Sequence, residues 1–267
     1  MLFDTIDSLL FIIDIQMYIY FPGNALKDKG FVKEAIHCYV TAIRLMPTFS
    51  AAHSNLGSIF KEQGKLEQAL SHYHEAISID PLFADAYSNL GNTYKDMGKL
   101  EEAMKCYSTA VKIRPTFADA YSNLAAAFKD NNQLDLAVSN YRTALELKPD
   151  LPEAIANLVH TLSFICDWKT REEDFARLSQ MLAIQLSIPG VVPAVQPFHS
   201  LIYPLSMSEL LQIARCYAVK AKANVSLVES RGYNFRPKPR SVRLRIGYVS
   251  SDFGNHPLSQ LMQSGDE

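Results

Sequence analysis

A chain of 267 residues whose 26 basic and 28 acidic side chains leave a formal charge of −2 offers no electrostatic basis for gripping nucleic acid or an anionic membrane. Its four cysteines, Cys38, Cys106, Cys166 and Cys216, stand far apart, with no CxxC pair and no clustered histidine beside them. That pattern suggests neither a disulfide framework nor a zinc site, and reduced intracellular thiols are the default.

Residues 1–22 form an atypical N-terminal segment. They are rich in apolar side chains, but Asp4, Asp7 and Asp14 interrupt them and the first basic residue is Lys27. The apolar run 9–13 is far shorter than the roughly 20 residues of a membrane span, and a signal peptide would start with basic residues. A cytosolic or nuclear protein is expected, with no membrane partner. The glycosylation-type triplet Asn224-Val225-Ser226 is then accidental.

From Gly23 to about Trp168 the sequence repeats with a step of 34 residues. Proline recurs at Pro47, Pro81, Pro115 and Pro149, and glycine at Gly30, Gly64 and Gly98, with Asn132 in the next place. Small and aromatic columns run in the same register: Ala35, Ala69, Ala103 and Ala137; Tyr39, Tyr73, Tyr107 and Tyr141; Ala42, Ala76, Ala110 and Ala144. Leu56, Gly57 and Phe60 share one face of a first helix, and Ala69, Tyr73 and Ala76 one face of a second. Gly64 is suited to a left-handed helix end, and Pro81 stops the second helix. Each helix–turn–helix unit buries its apolar face only by stacking on its neighbours. These columns resemble the tetratricopeptide repeat, with His53, Tyr87 and Tyr121 replacing the usual early tryptophan. Pro22 stands where Leu56 and Leu90 stand later, so the first repeat is expected to be broken there. The last is expected to lose the pattern near Cys166.

Asn55, Asn89, Asn123 and Asn157 recur on the first helices, which line the concave side of such a superhelix. An amide both donates and accepts, so this column suits an extended peptide backbone. The competing reading has each Asn bonding a neighbouring helix end. Asp85 and Asp119 lie four residues before Asn89 and Asn123, on the same helix face; Glu153 and Ala51 hold the corresponding places in their repeats. The chaperone-type carboxylate clamp is disfavoured, because Ser54, Ser88 and Ser122 stand where it needs basic residues. Lys61, Lys95 and Lys129 read as a solvated mixed face, and Cys38 and Cys106 as small apolar fillers.

Residues 169–240 form a helical transition and linker, with "LLQIARCYAVKAKANVSLVES" spaced as a helix and "PFHSLIYPLS" and "RPKPR" as proline-punctuated connectors. Over 241–267, a short β-type run (Val242, Leu244, Ile246, Tyr248), the loop "SSDFGNHP" and the start of a helix give the layout of an α/β lobe.

Together with the repeats, "CDW", "HSLIYPLS" and "RLRIGYVSSDFGNHPLSQLMQS" closely resemble the animal-type protein O-linked N-acetylglucosamine transferases. The resemblance implies an all-α tetratricopeptide superhelix, right-handed, followed by the start of a Rossmann-like lobe. It implies inverting transfer of N-acetylglucosamine from UDP-N-acetylglucosamine to Ser or Thr of nuclear and cytosolic proteins. By position, Asn55, Asn89, Asn123, Asn157, Asp85 and Asp119 would hold substrate peptide, and His256 would be the active-site histidine. A neutral imidazole there can accept a proton. Where the family reads "HPTSHLM", this chain has Pro257-Leu258-Ser259-Gln260, which removes a hydroxyl and a second imidazole beside that histidine. The family's second lobe holds the donor, so residues 1–267 are expected to carry no cofactor and no metal and to be inactive alone. Expected partners are protein substrates or adaptors in the groove, and a homodimer through the repeats stays open. The alternative is a stand-alone, non-catalytic adaptor or competitor.

Overall fold

The 34-residue period becomes pairs of antiparallel helices. The computed structural model describes residues 19–228, and among these every regular element is helical. The helices are α1 (Phe21–Asp28), α2 (Val32–Leu45), α3 (Ser50–Glu62), α4 (Leu66–Ile79), α5 (Ala84–Asp96), α6 (Leu100–Ile113), α7 (Ala118–Asp130), α8 (Leu134–Leu147), α9 (Pro152–Phe164), α10 (Arg171–Ser187), α11 (Pro197–Ser200) and α12 (Met207–Val228). Odd-numbered helices from α1 to α7 are first helices, and each packs most closely on the even-numbered helix that follows it. The result is an α-solenoid. The chain divides into units Met1–Ala221 and Lys222–Glu267; of the described residues, only the end of α12 falls in the second. The β-type run, the "SSDFGNHP" loop and His256 lie outside the described residues.

Within each pair the small and aromatic columns form the core. Tyr39, Tyr73, Tyr107 and Tyr141 are fully buried, together with the alanines of both columns. Close approach is obligatory at Gly91, where an added Cβ would lie 2.7 Å from the ring of Tyr107. His53, in the place of Tyr87 and Tyr121, sets its Nδ1 3.3 Å from Nδ1 of His72.

Each first helix ends in the same two-bond turn. Gly64 N–H donates to the Lys61 carbonyl and Lys65 N–H to the Phe60 carbonyl, both at 2.9 Å. This is the geometry that a left-handed residue allows. Gly30, Gly64 and Gly98 have positive φ, as does Asn132 at +57°. Cys166 repeats the turn at φ +56°, with Asp167 N–H on the Leu162 carbonyl. The turn therefore persists at Cys166, where the sequence columns fade. The second helices stop where Met46, Asp80, Arg114 and Lys148 turn extended. Each of these precedes a proline, which disfavours helical backbone in its predecessor.

Pro22 does not break the first repeat. It sits in the first turn of α1, after a π turn at Ile19–Tyr20. A missing N–H there forfeits no bond inside α1. Gly23 then meets Tyr39 as Gly57 meets Tyr73.

The transition segment closes the last pair. One continuous apolar cluster joins Tyr141, Leu158 and Leu162 to Leu178 and Leu182 of α10, and then to Val195, Tyr203 and Ile213. Tyr217 donates to the Pro193 carbonyl at 2.9 Å, tying α12 to the connector. "PFHSLIYPLS" holds one helical turn, α11, within an otherwise irregular path. None of the described helices is long and apolar enough to cross a membrane.

Candidate functional site

The four ladder asparagines are half-buried, one on each of α3, α5, α7 and α9, but their amides are not equivalent. The Asn55 amide nitrogen donates to the Tyr20 hydroxyl at 2.9 Å and to Asn24 Oδ1 at 2.8 Å, and the same Asn24 oxygen accepts from Tyr39 at 2.6 Å. Asn55 is therefore held inside the first repeat. At the other end, Asn157 Oδ1 accepts from Lys129 Nζ at 3.0 Å. Between them stand Asn89 and Asn123, one repeat apart, and no hydrogen bond engages either side chain among the described residues. A half-buried amide left without a partner keeps both its donor and acceptor available.

The carboxylates divide in the same way. Asp85 pairs with the guanidinium of Arg114, which also lies over the Phe117 ring, 4.3 Å from its centroid. Asp119, the next in the column, is exposed and forms no ion pair among the described residues. Asn123 and Asp119, four residues apart on α7, make the most open polar pair on the ladder.

Lysines link successive repeats along one line. Lys27 pairs with Glu62 at 3.5 Å, Lys61 with Asp96 at 2.9 Å and Lys95 with Asp130 at 3.1 Å. Two of the lysines read from sequence as a solvated face are thus inter-repeat ties, although pairs this exposed contribute only about 0.2–1 kcal/mol each. Lys129 departs from the series by reaching Asn157. Beyond it the imidazoles of His160 and His199 stack with centroids 3.9 Å apart. Burial, helped by His199 and Lys129, pushes the His160 imidazole down to about 4, and burial with Lys129 lowers His199 as well. Burial also lowers the Lys129 ammonium. This group was not singled out in the sequence. The signal that would have found it is Phe164, which stands where an acid is due for Lys129. His160 and His199 lie too far apart along the chain for spacing to pair them. Among the described residues, no group of three or more His, Cys, Asp or Glu side chains is arranged to hold a metal ion.

Comparisons with known proteins match both the repeats and the segment that follows them. The model described as "TPR repeat" matches residues 23–64, 57–98 and 91–132, and "Tetratricopeptide repeat" matches 118–151. Residues 165–267 match "Glycosyl transferase family 41". The chain is 42% identical over 117 residues to the probable UDP-N-acetylglucosamine–peptide N-acetylglucosaminyltransferase SEC of Arabidopsis thaliana, covering 40% of this chain and 12% of that protein. It is 45% identical over 108 residues to the UDP-N-acetylglucosamine–peptide N-acetylglucosaminyltransferase of Caenorhabditis elegans, covering 38% of this chain and 9% of that protein. The aligned stretch is thus about a tenth of either relative. Among solved structures, PilF of Pseudomonas aeruginosa superposes with a TM-score of 0.56 at 16% identity, over 80% of this chain and 88% of its own; this likeness is one of fold alone.

Proposed function

From a chain that joins tetratricopeptide repeats to a glycosyl transferase family 41 segment, we propose that the repeats hold Ser- and Thr-bearing protein segments for transfer of N-acetylglucosamine from UDP-N-acetylglucosamine. The observation that carries the reading is the pair Asn89 and Asn123, two half-buried amides one repeat apart with their hydrogen-bonding groups unused. Each can donate to a backbone carbonyl and accept from a backbone N–H of an extended segment. Asp119 can accept a hydroxyl proton from a Ser or Thr side chain of that segment. Asn55 and Asn157 fix the two ends of the ladder through their bonds inside the fold.

On this reading the described helices bind and align the acceptor. The donor sugar nucleotide and any role of His256 belong to residues outside them, and no turnover is assigned to the repeats themselves. Cytosol and nucleus are the proposed locations. A second reading, a non-catalytic adaptor or competitor, draws on the cap: Ile213 of α12 is fully buried in the cluster that closes the last repeat, as an array that ends there would require. Both readings use the same groove.

The test is the double variant Asn89→Ala/Asn123→Ala against an unfolded Ser/Thr-rich peptide, followed by fluorescence anisotropy. Each lost amide contact removes about 1 kcal/mol, so affinity should fall about tenfold or more while helicity by circular dichroism stays unchanged. Undiminished binding would remove the ladder from the proposed function.

A further inference from the structure

The lysine line between repeats is interrupted at one place on the ladder. In three successive steps the acid partner stands 35 residues beyond its lysine, as in Lys27–Glu62, Lys61–Asp96 and Lys95–Asp130. The same step from Lys129 reaches Phe164, an exposed aromatic. Lys129 therefore has no carboxylate within ion-pair distance among the described residues. Its neighbour Asp130 is engaged by Lys95. Its ammonium instead donates to Asn157 Oδ1 at 3.0 Å, which sets a half-buried charge against the last rung.

That contact also decides what the rung offers. With Asn157 Oδ1 occupied by the ammonium, the free end of the amide is its NH2, a donor. The two further donors of the ammonium are unspent on carboxylate. Nearby, the stacked His160 and His199 contribute rings that burial keeps neutral in the ordinary range. The corner thus holds one positive charge and several donors with no carboxylate at ion-pair distance; Asp130 acts on it only from further off and is itself paired with Lys95. A cation in this state is satisfied by a single negative charge brought by a ligand, because charge-assisted hydrogen bonds are about twice as strong as neutral ones.

Resting on the groove reading above, we infer that Lys129, with the amide of Asn157, is a specificity determinant that takes the carboxylate of an Asp or Glu side chain in the bound protein segment. A carboxylate fits better than a phosphoryl group. One ammonium beside two neutral imidazoles matches a charge of −1 and leaves the second charge of a phosphate uncompensated. The preference has a place as well as a sign. Towards the other end of the array, Lys27, Lys61 and Lys95 have acids of their own and offer a ligand less.

The experiment uses the whole chain and four short Ser/Thr/Ala/Gly peptides, identical except for a central Glu, Gln, Lys or phosphoserine, followed by fluorescence anisotropy. Wild type should bind the Glu peptide about tenfold more tightly than the Gln peptide, with the margin shrinking as salt rises. Lys129→Met should erase that margin and leave affinity for the Gln peptide unchanged, which a merely structural lysine would not do. Lys129→Glu should favour a Lys-bearing peptide. Lys61→Met, which removes a lysine that already has Asp96 and leaves the Lys95–Asp130 pair intact, should keep the margin. Equal binding of the Glu and Gln peptides by wild type, or a margin that survives in Lys129→Met, overturns the inference. So does phosphoserine binding far more tightly than Glu. Equal binding that still falls in Asn89→Ala/Asn123→Ala would sink this inference alone. Binding of no peptide, or binding indifferent to those two asparagines, would sink the groove reading and this inference together.

Discussion

Tyr39, Tyr73 and Tyr107 carry their hydroxyls to an oxygen 15 residues earlier: Asn24 at 2.6 Å, Ser58 at 3.0 Å and Asn92 at 2.7 Å. Tyr141 has Ala126 in that place, and its buried hydroxyl has no partner. An unsatisfied buried hydroxyl costs about 1–3 kcal/mol, whereas a satisfied one contributes about 1 kcal/mol. Tyr107→Phe should therefore destabilise by about 1 kcal/mol, and Tyr141→Phe should be neutral or stabilising by a similar amount. Urea denaturation of the two variants, compared with wild type, measures the contrast. Equal losses would mean that both hydroxyls are equally well served. The column of tyrosines was legible as core from period alone. The fate of each hydroxyl was not, because it depends on a residue that the small-residue pattern leaves free to vary.

Helices and their ends were the most legible elements, since proline, glycine and the small-residue columns each act through local backbone conformation. The exceptions show where local reading fails. Pro22 was expected to break a helix and instead occupies its first turn, because helix register decides whether a proline's missing N–H matters. Cys166 was read as the place where the repeat fades, yet its backbone keeps the left-handed turn at φ +56°. The apolar columns carry the sequence period, and α10 begins after an irregular stretch containing Trp168, so the columns slip while the turn persists. A left-handed conformation costs a non-glycine residue about 1–2 kcal/mol, of which glycine's extra freedom in the unfolded chain returns part. Cys166→Gly should accordingly raise stability by about 1 kcal/mol, read as a higher urea midpoint with an unchanged slope. A lower midpoint would mean that the Cys166 side chain contributes more than its backbone strain removes.

Over the whole molecule, repeats stack so that each rung of the ladder is conditioned by the repeat before it. The sequence period put four asparagines in one column, but neighbours some 30 residues away in the chain decide which are open. Tyr20 and Asn24 hold Asn55, and Lys129 holds Asn157. Asn89 and Asn123 stay open because no side chain of an adjacent repeat reaches them. Asp85 and Asp119 part for the same reason, since Arg114 pairs with only the first. Long-range partners of this kind are invisible to a reading of periodicity alone, although the interrupted lysine line was present in the sequence for a reader comparing positions 35 residues apart. The groove itself is tested most directly by photo-crosslinking a Ser/Thr-rich peptide bearing a diazirine to the whole chain and mapping the adducts by mass spectrometry. Adducts on α5 and α7, around Asn89, Asp119 and Asn123, are the expected result. Adducts confined to the second helices α4, α6 and α8 would contradict it.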